Sequence, residues 1–333
     1  MVETGGQDVG EWPPTVQRID SGAVVRLEIA VAAATLRVDS WAVEVAQALS
    51  AQGVSPILLK GPSVARALYP HGGARPYVDV DLLIEPARMG FASEVLGGAG
   101  FERVTTPVID GRLERHSEPW RRAEDGALVD VHRTLPWLGV SPETAWEVLA
   151  RETEPIRVAA TELMALTPPA LALHVALHAV YHGRAVEASL RDLELAVERW
   201  DDGVWSETRR VATSLGALGA LRAALTMVPA GRPLAHRLDL PEAFSREIRL
   251  AALGPPGATE LERLSAHRSS RDRIRIVSRQ LVPPRAFMYE WSPRARRGPG
   301  WLLIAYLDRL RLLARRIGPA TAAYLEARRG RKS

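Results

Sequence analysis

The sequence predicts an α+β fold, a mixed β-sheet domain with helices followed by a mostly helical C-terminal half. Three observations carry this expectation. A short apolar run, a Gly-Pro turn and helically spaced residues give a β-α-β-α opening over residues 56–99. Asp110-Gly111 and Asp125-Gly126 then separate three extended runs, as in an antiparallel meander, because both central positions of such turns readily take positive φ. Beyond about Ser141 the apolar spacing becomes helical.

Each element follows from local chemistry. Residues 1–18 contain Gly and Pro without periodicity and are expected to be disordered. Ser21 to Leu49 has apolar residues at helical spacing, enough for one or two helices. Pro56–Leu59 is a short buried strand. Gly61-Pro62 opens a helix through Leu68, since proline suits the first helical position, where its missing N–H is not needed. Tyr77 to Ile84 is the next strand, with Val78, Val80 and Leu82 expected in the core. Pro86 to Ala99 reads as a helix, and Phe101–Ile109, Arg112–Arg122 and Ala127–Leu135 form the meander. Thr167 caps a helix that Pro168-Pro169 begin and His182 ends. Further helices are expected over Ala185–Trp200, Trp205–Val228 and Pro241–Leu253.

Composition narrows the class of protein. The chain is 47% hydrophobic and 25% charged, as in soluble globular proteins. No apolar run approaches the ~20 residues that span a bilayer. The polar, acidic start MVETGGQDVGEWPP differs from a signal peptide, so the cytoplasm is the expected compartment. The absence of cysteine excludes disulfides, thiolate zinc sites and a cysteine nucleophile. The net charge of +4 hides an asymmetry: residues 294–333 carry 11 basic and 2 acidic residues, whereas residues 1–293 carry 32 and 37. Of 43 basic residues only Lys60 and Lys332 are lysines. Lysine, a compact charge on a flexible stem, differs from arginine's broad fork, so Lys60 beside the glycine turn is either selected or incidental.

The stretch LLKGPSVARALYPHGGARPYVDVDLLIE, residues 58–85, holds the densest chemistry. Residues two apart on a strand share a face, so Asp79 and Asp81 are expected to point the same way. Such a pair suits a hard cation, and Mg²⁺ favours one or two carboxylates plus substrate phosphates. The same pattern also fits a half-buried strand with a polar outer face. The turn favours the first reading. Gly61 permits close backbone approach, the helix begun by Pro62 would aim the N–H groups of Ser63 and Val64 at an anion, and Lys60 adds positive charge. Asp130 and His132 alternate with Val129 and Val131 on another strand; if it lies beside Asp79-Asp81, three carboxylates meet at one sheet edge.

Leu58-Leu-Lys-Gly, Leu68-Tyr-Pro, Arg75-Pro, Asp79-Val-Asp-Leu-Leu-Ile and Val129-Asp-Val-His together resemble the uncharacterised nucleotidyltransferase family, a branch of the DNA polymerase β-like nucleotidyltransferase superfamily. The resemblance covers roughly residues 30–200. It implies transfer of a nucleoside monophosphate from an NTP, ATP first among them, with Mg²⁺ or Mn²⁺ and release of pyrophosphate. It implies Asp79, Asp81 and Asp130 as metal-binding carboxylates, Asp130 also assisting deprotonation of the acceptor, and Gly61 and Ser63 at the phosphates. Gly61-Pro62 departs from the superfamily's Gly-Ser or Gly-Gly. Lys60, Arg75, His132, His178 and Asp192 complete the expected nucleotide-binding set. The expected division is a catalytic domain over 19–140, a helical domain over 141–293 that closes the cleft, and a basic C-terminal helix or tail over 294–333.

Some features leave alternatives open. His174, His178 and His182 lie four apart on one helix face, a stripe able to bind zinc or to border the cleft and pack. Arg75, Arg191 and Asp192 suit nucleotide contact or structural pairing. The segment from Trp301 to Arg316 suits a packed terminal helix, or a surface for an acidic peptide, a nucleic acid or an anionic membrane. A small molecule, peptide or protein acceptor is favoured over a long nucleic acid, since the body is slightly acidic. The rivals are an RNA-end nucleotidyltransferase gripping with the basic tail and a non-catalytic nucleotide-binding protein of the same fold.

Overall fold

A computed structural model describes residues 21–69, 75–104, 116–267 and 269–329, with side chains from residue 29 onward. The expected disordered N-terminus and the Asp110-Gly111 turn lie outside the described residues. The elements run α1 (Ser21–Ala51), β1 (Ile57–Leu58), α2 (Pro62–Leu68), β2 (Val80–Leu83), α3 (Met89–Gly98), β3 (Phe101–Arg103), β4 (Ser117–Arg122) and β5 (Leu128–His132). They continue through α4 (Pro142–Leu149), β6 (Thr153–Val158), β7 (Thr161–Leu166), α5 (Pro168–His182), α6 (Glu187–Arg199), α7 (Asp202–Ser214), α8 (Leu218–Met227) and α9 (Gly231–Arg237). The last are α10 (Arg246–Leu253), α11 (Ala258–Ala266), α12 (Ser270–Leu281), α13 (Arg285–Trp291) and α14 (Pro299–Arg329).

The seven strands form one mixed sheet in the order β3-β4-β5-β2-β1-β7-β6. β2 and β5 run parallel, with Asp81 opposite Asp130, while β1 and β2 are antiparallel. Side-chain alternation gives the sheet two faces. Val80, Leu82, Val129 and Val131 pack beneath α1 and α3, where Val38, Trp41, Ala42, Val45 and Leu49 recur at helical spacing. Ile57 and Leu83 belong to the second core, built around α5 with α6, α7 and α8. In α5 the residues from Ala170 to Leu177 are all buried, so the helix runs through the middle of that core.

Two differences from the sequence reading bear on the site. Val78 is 66% exposed rather than in the core. The strand begins only at Val80, and Asp79 sits in a bend. Tyr77 turns inward instead: it is buried, and its hydroxyl donates to Asp39 Oδ1 at 2.6 Å. Anchoring Tyr77 shifts the alternation by one, leaving Val78 outside.

The second difference is at the far edge of the sheet. Residues 153–166 form a hairpin, β6-β7, with β7 parallel to β1, so the sheet takes strands from beyond residue 140. Its turn is marked by neither Asn nor Gly; Ala159 takes the positive φ of 51°. The single helix expected over Trp205–Val228 is also broken, between α7 and α8, where Gly216 has φ 63° and its backbone meets Gly139. The basic C-terminal stretch is not a loose tail but mostly the 31-residue helix α14. Ala320 of α14 packs with Leu250 and Ala258, and Ala305 with Met288 and Ala295.

Candidate active site

The site begins at the turn between β1 and α2. Gly61 has φ 67°, a left-handed conformation that a side chain would strain, and a Cβ there would lie 3.4 Å from the Tyr77 ring. The N–H of Leu59 donates to the Asp81 carbonyl at 3.0 Å, holding the turn against β2. Lys60 thereby extends over the carboxylates, its Nζ 3.2 Å from Asp81 Oδ1 and 3.8 Å from Asp79 Oδ2. Lys60 thus faces both aspartates, with Asp79 held in the bend before the strand begins. Ser63 is buried and its Oγ has no hydrogen-bond partner.

Parallel pairing of β2 with β5 supplies the third acid. His132 Nε2 lies 3.0 Å from Asp81 Oδ1 and 4.0 Å from Asp130 Oδ2. Asp81, Asp130 and His132 each place a ligand atom within 4.8 Å of the others. Electrostatics separates the three acids. Burial acts to raise the Asp81 pKa, but Lys60 and the His132 hydrogen bond overcome it and hold the carboxyl well below the usual range. Asp81 is therefore ionised and acceptor-only, so His132 Nε2 carries the proton that it donates. His132 thus orients the carboxylate. Asp130 is shifted the other way, upward, by burial and the neighbouring acids. Asp79 is raised as well, by burial and then by Asp81. Lys60 is held above its ordinary value because Asp81 and Asp79 outweigh its own desolvation.

A divalent cation suits this donor set. Asp81 Oδ2 and Asp130 Oδ1 are buried oxygens with no hydrogen-bond partner, and buried polar groups left unpaired are costly unless something satisfies them. Among the described residues, Asp81, Asp130 and His132 form the group that could share one ion, and Asp79 lies beside it without belonging to it.

Arg75 and Asp192 are brought to each other. Arg75 donates from Nε and Nη2 to both Asp192 oxygens at 2.7–3.1 Å, and Tyr69 Oη donates to Asp192 Oδ1 at 2.8 Å. The side chains are 14% and 5% exposed, so the pair ties the segment before β2 to α6. Arg191 lies on the surface, paired with Glu194 at 3.4 Å. Tyr69 is a member that sequence reading left unassigned; its place in Leu68-Tyr-Pro was the only signal.

The histidine stripe of α5 lies within electrostatic reach of Lys60 and Asp81. His178 Nε2 is 3.1 Å from His182 Nε2, and His178 Nδ1 is 3.3 Å from Ser189 Oγ. His116, which the sequence reading also missed, bridges the groups: its ring centroid is 5.8 Å from that of His132 and 5.0 Å from that of Tyr181. His174 is 3% exposed, and neither ring nitrogen has a partner. Burial, reinforced by His132 and Lys60, lowers its pKa to about 3. The unfolded chain therefore takes up this proton first, and the stability attached to neutral His174 is present above about pH 6.5 and lost as pH falls toward 3. The expected result in urea unfolding is that the wild type loses ~2 kcal/mol more than His174→Phe between pH 7.5 and 5. Equal losses would mean that His174 gains a partner on protonation.

The family described as uncharacterised nucleotidyltransferase matches residues 25–230, from α1 through α8. The chain belongs to that uncharacterised nucleotidyltransferase family. Among solved structures it is similar to an antigenic nucleotidyltransferase-like protein from Paracoccidioides brasiliensis, at 15% identity and a TM-score of 0.36, over 62% of this chain and 92% of that one. A tRNA-processing enzyme in an apo form is similar at 12% identity and a TM-score of 0.25, over 83% of this chain and 89% of that one. Nothing among the curated proteins matches.

Proposed function

We propose that the chain is a Mg²⁺- or Mn²⁺-dependent nucleotidyltransferase that moves a nucleoside monophosphate from an NTP, ATP first, to an acceptor hydroxyl and releases pyrophosphate. The observation that carries this reading is the pairing of Asp81 with Asp130 across parallel strands, with Asp79, Lys60 and the Gly61 turn beside them. Asp79, Asp81 and Asp130 would hold the cation, whose chemistry is to neutralise phosphate charge and polarise the phosphoryl group. The remaining work falls to the chain. Gly61 leaves room for the triphosphate against the backbone. Lys60 neutralises phosphate oxygens, and His132 keeps Asp81 ionised and aligned. Asp130, paired with Asp81 across the parallel strands, is placed to take the acceptor's proton. The favoured acceptor is a small molecule, peptide or protein.

The placement of Lys60 also favours a second reading, a nucleotide-binding protein in which the lysine permanently serves as the cation of Asp79 and Asp81. Lys60→Ala separates the two. In the enzyme, the variant binds Mn²⁺ without nucleotide roughly tenfold more tightly, because a competing charge is gone, while NTP binding weakens. Lys60→Arg restores NTP binding only in part, since a guanidinium is broader than an ammonium. Pyrophosphate release from Mg²⁺ and each α-labelled NTP in the presence of a cell extract tests the activity itself. Metal-independent NTP binding without any release or label transfer would support the binder instead.

A further inference from the structure

The C-terminal layer lies beyond the family match, and α14 has two apolar faces. One is packed: Ala305 and Ala320 are buried, and Arg309 points inward to the carbonyl and side chain of Gln280. The other is open. Leu303, Leu307, Leu310 and Ile317, spaced by four, three and seven, fall on one line of the helix, and Leu325 continues it two turns on. They are 61%, 44%, 38%, 61% and 42% exposed. Ile304, 45% exposed, widens the stripe. From Leu303 to Leu325 this row of exposed apolar side chains runs about 33 Å along the helix, the kind of exposed apolar patch that marks an interaction surface.

Helix α12 lies against the middle of α14 through Arg309 and, just beyond its end, through Tyr306, whose hydroxyl donates to the Pro283 carbonyl at 2.6 Å. It adds Ile274, Val277 and Leu281, which are 68%, 39% and 42% exposed. The charge of this layer is predominantly positive. Residues 269–333 contain 16 basic and 4 acidic residues. Arg311 and Arg315 flank the stripe, and Trp301 stands near its start with the Arg297 guanidinium 5.9 Å from its ring. No helix among the described residues is long and apolar enough to cross a membrane.

We propose that α14, with α12 beside it, is a docking surface for an anionic lipid bilayer. The aliphatic stripe would enter the interface, and the flanking arginines would meet acidic headgroups, the arrangement of helices that lie in a membrane surface. Charge selects this occupant. A second copy of the chain would bring the same basic layer against itself. Water leaves the stripe uncovered, and neutral lipid offers no anionic partner for the net positive charge of the layer. Among the described residues, Arg311 alone of the flanking pair has a carboxylate, Asp308 at 3.2 Å. None of the stripe residues belongs to the acid cluster, so the proposal stands or falls independently of the nucleotidyltransferase reading.

Vesicle co-sedimentation of the full chain tests it. Vesicles of phosphatidylcholine with about one third phosphatidylglycerol are expected to pellet the protein at least tenfold more effectively than phosphatidylcholine alone. The variant Leu303→Ser/Leu307→Ser/Leu310→Ser and the variant Arg311→Glu/Arg315→Glu should each lose tenfold or more. Both change exposed residues, and melting curves superposing on the wild type would show that the fold is kept. Equal pelleting with the two vesicles, or undiminished pelleting of the serine variant, would overturn the proposal. So would a dimer in sedimentation equilibrium that the serine variant abolishes, because the stripe would then belong to a second copy.

Discussion

Asp81→Asn and Asp130→Asn are each expected to lower single-turnover nucleotidyl transfer at least ~100-fold, about 2.7 kcal/mol of barrier. Asparagine keeps the shape and removes the charge a hard cation requires. The two changes combined should cost little more than either alone, since groups that act as one unit fail together. Their effects on the fold should have opposite signs. Asp81 is held ionised by Lys60 and His132, so losing its charge leaves half-buried Lys60 with only the more distant Asp79 and lowers the melting temperature. Asp130 is raised by burial and neighbouring acids, so removing its charge relieves repulsion and raises the melting temperature. Transfer within a few-fold of wild type in both variants would reduce these residues to structural acids.

Asp192→Ala is expected to destabilise the protein by ~3 kcal/mol or more, the usual consequence of removing one partner from a buried ion pair. Arg75 would keep its charge with no carboxylate opposite, and the Tyr69 hydroxyl would lose its acceptor. At this size the loss amounts to roughly 5 °C or more in Tm. The double variant Arg75→Leu/Asp192→Leu should recover most of it, because neither charge is then stranded. A melting curve unchanged in Asp192→Ala, with NTP binding lost, would instead make Asp192 a nucleotide contact and the ion pair incidental.

Much of the site was legible because its residues are close in sequence. Lys60, Gly61, Asp79 and Asp81 lie within 22 positions, and the Gly-Pro turn and the Asp-Val-Asp spacing are local signals. Asp130 and His132 were legible through strand alternation, but their pairing with β2 came from sheet topology, which spacing does not contain. The bend at Asp79 was hidden because it depends on Tyr77 reaching Asp39, a contact 38 positions apart. His116 left no signal at all, being a lone histidine whose role comes from rings on β5 and α5. The β6-β7 hairpin escaped notice because Pro155 interrupts one strand and Ala159 turns without Gly or Asn. Asp192 was visible as a candidate for nucleotide contact or structural pairing. Its engagement with Arg75, 117 positions away, decides its part in the structure and was not.

Titration of Mn²⁺ followed by the electron paramagnetic resonance of the free ion reads the carboxylate cluster most directly. The wild-type protein with an NTP should deplete the free-ion signal at concentrations where Asp81→Asn and Asp130→Asn, with the same NTP, leave it roughly tenfold closer to the protein-free control. Equal depletion by the wild type and both variants would place the metal elsewhere and contradict the assignment of these acids.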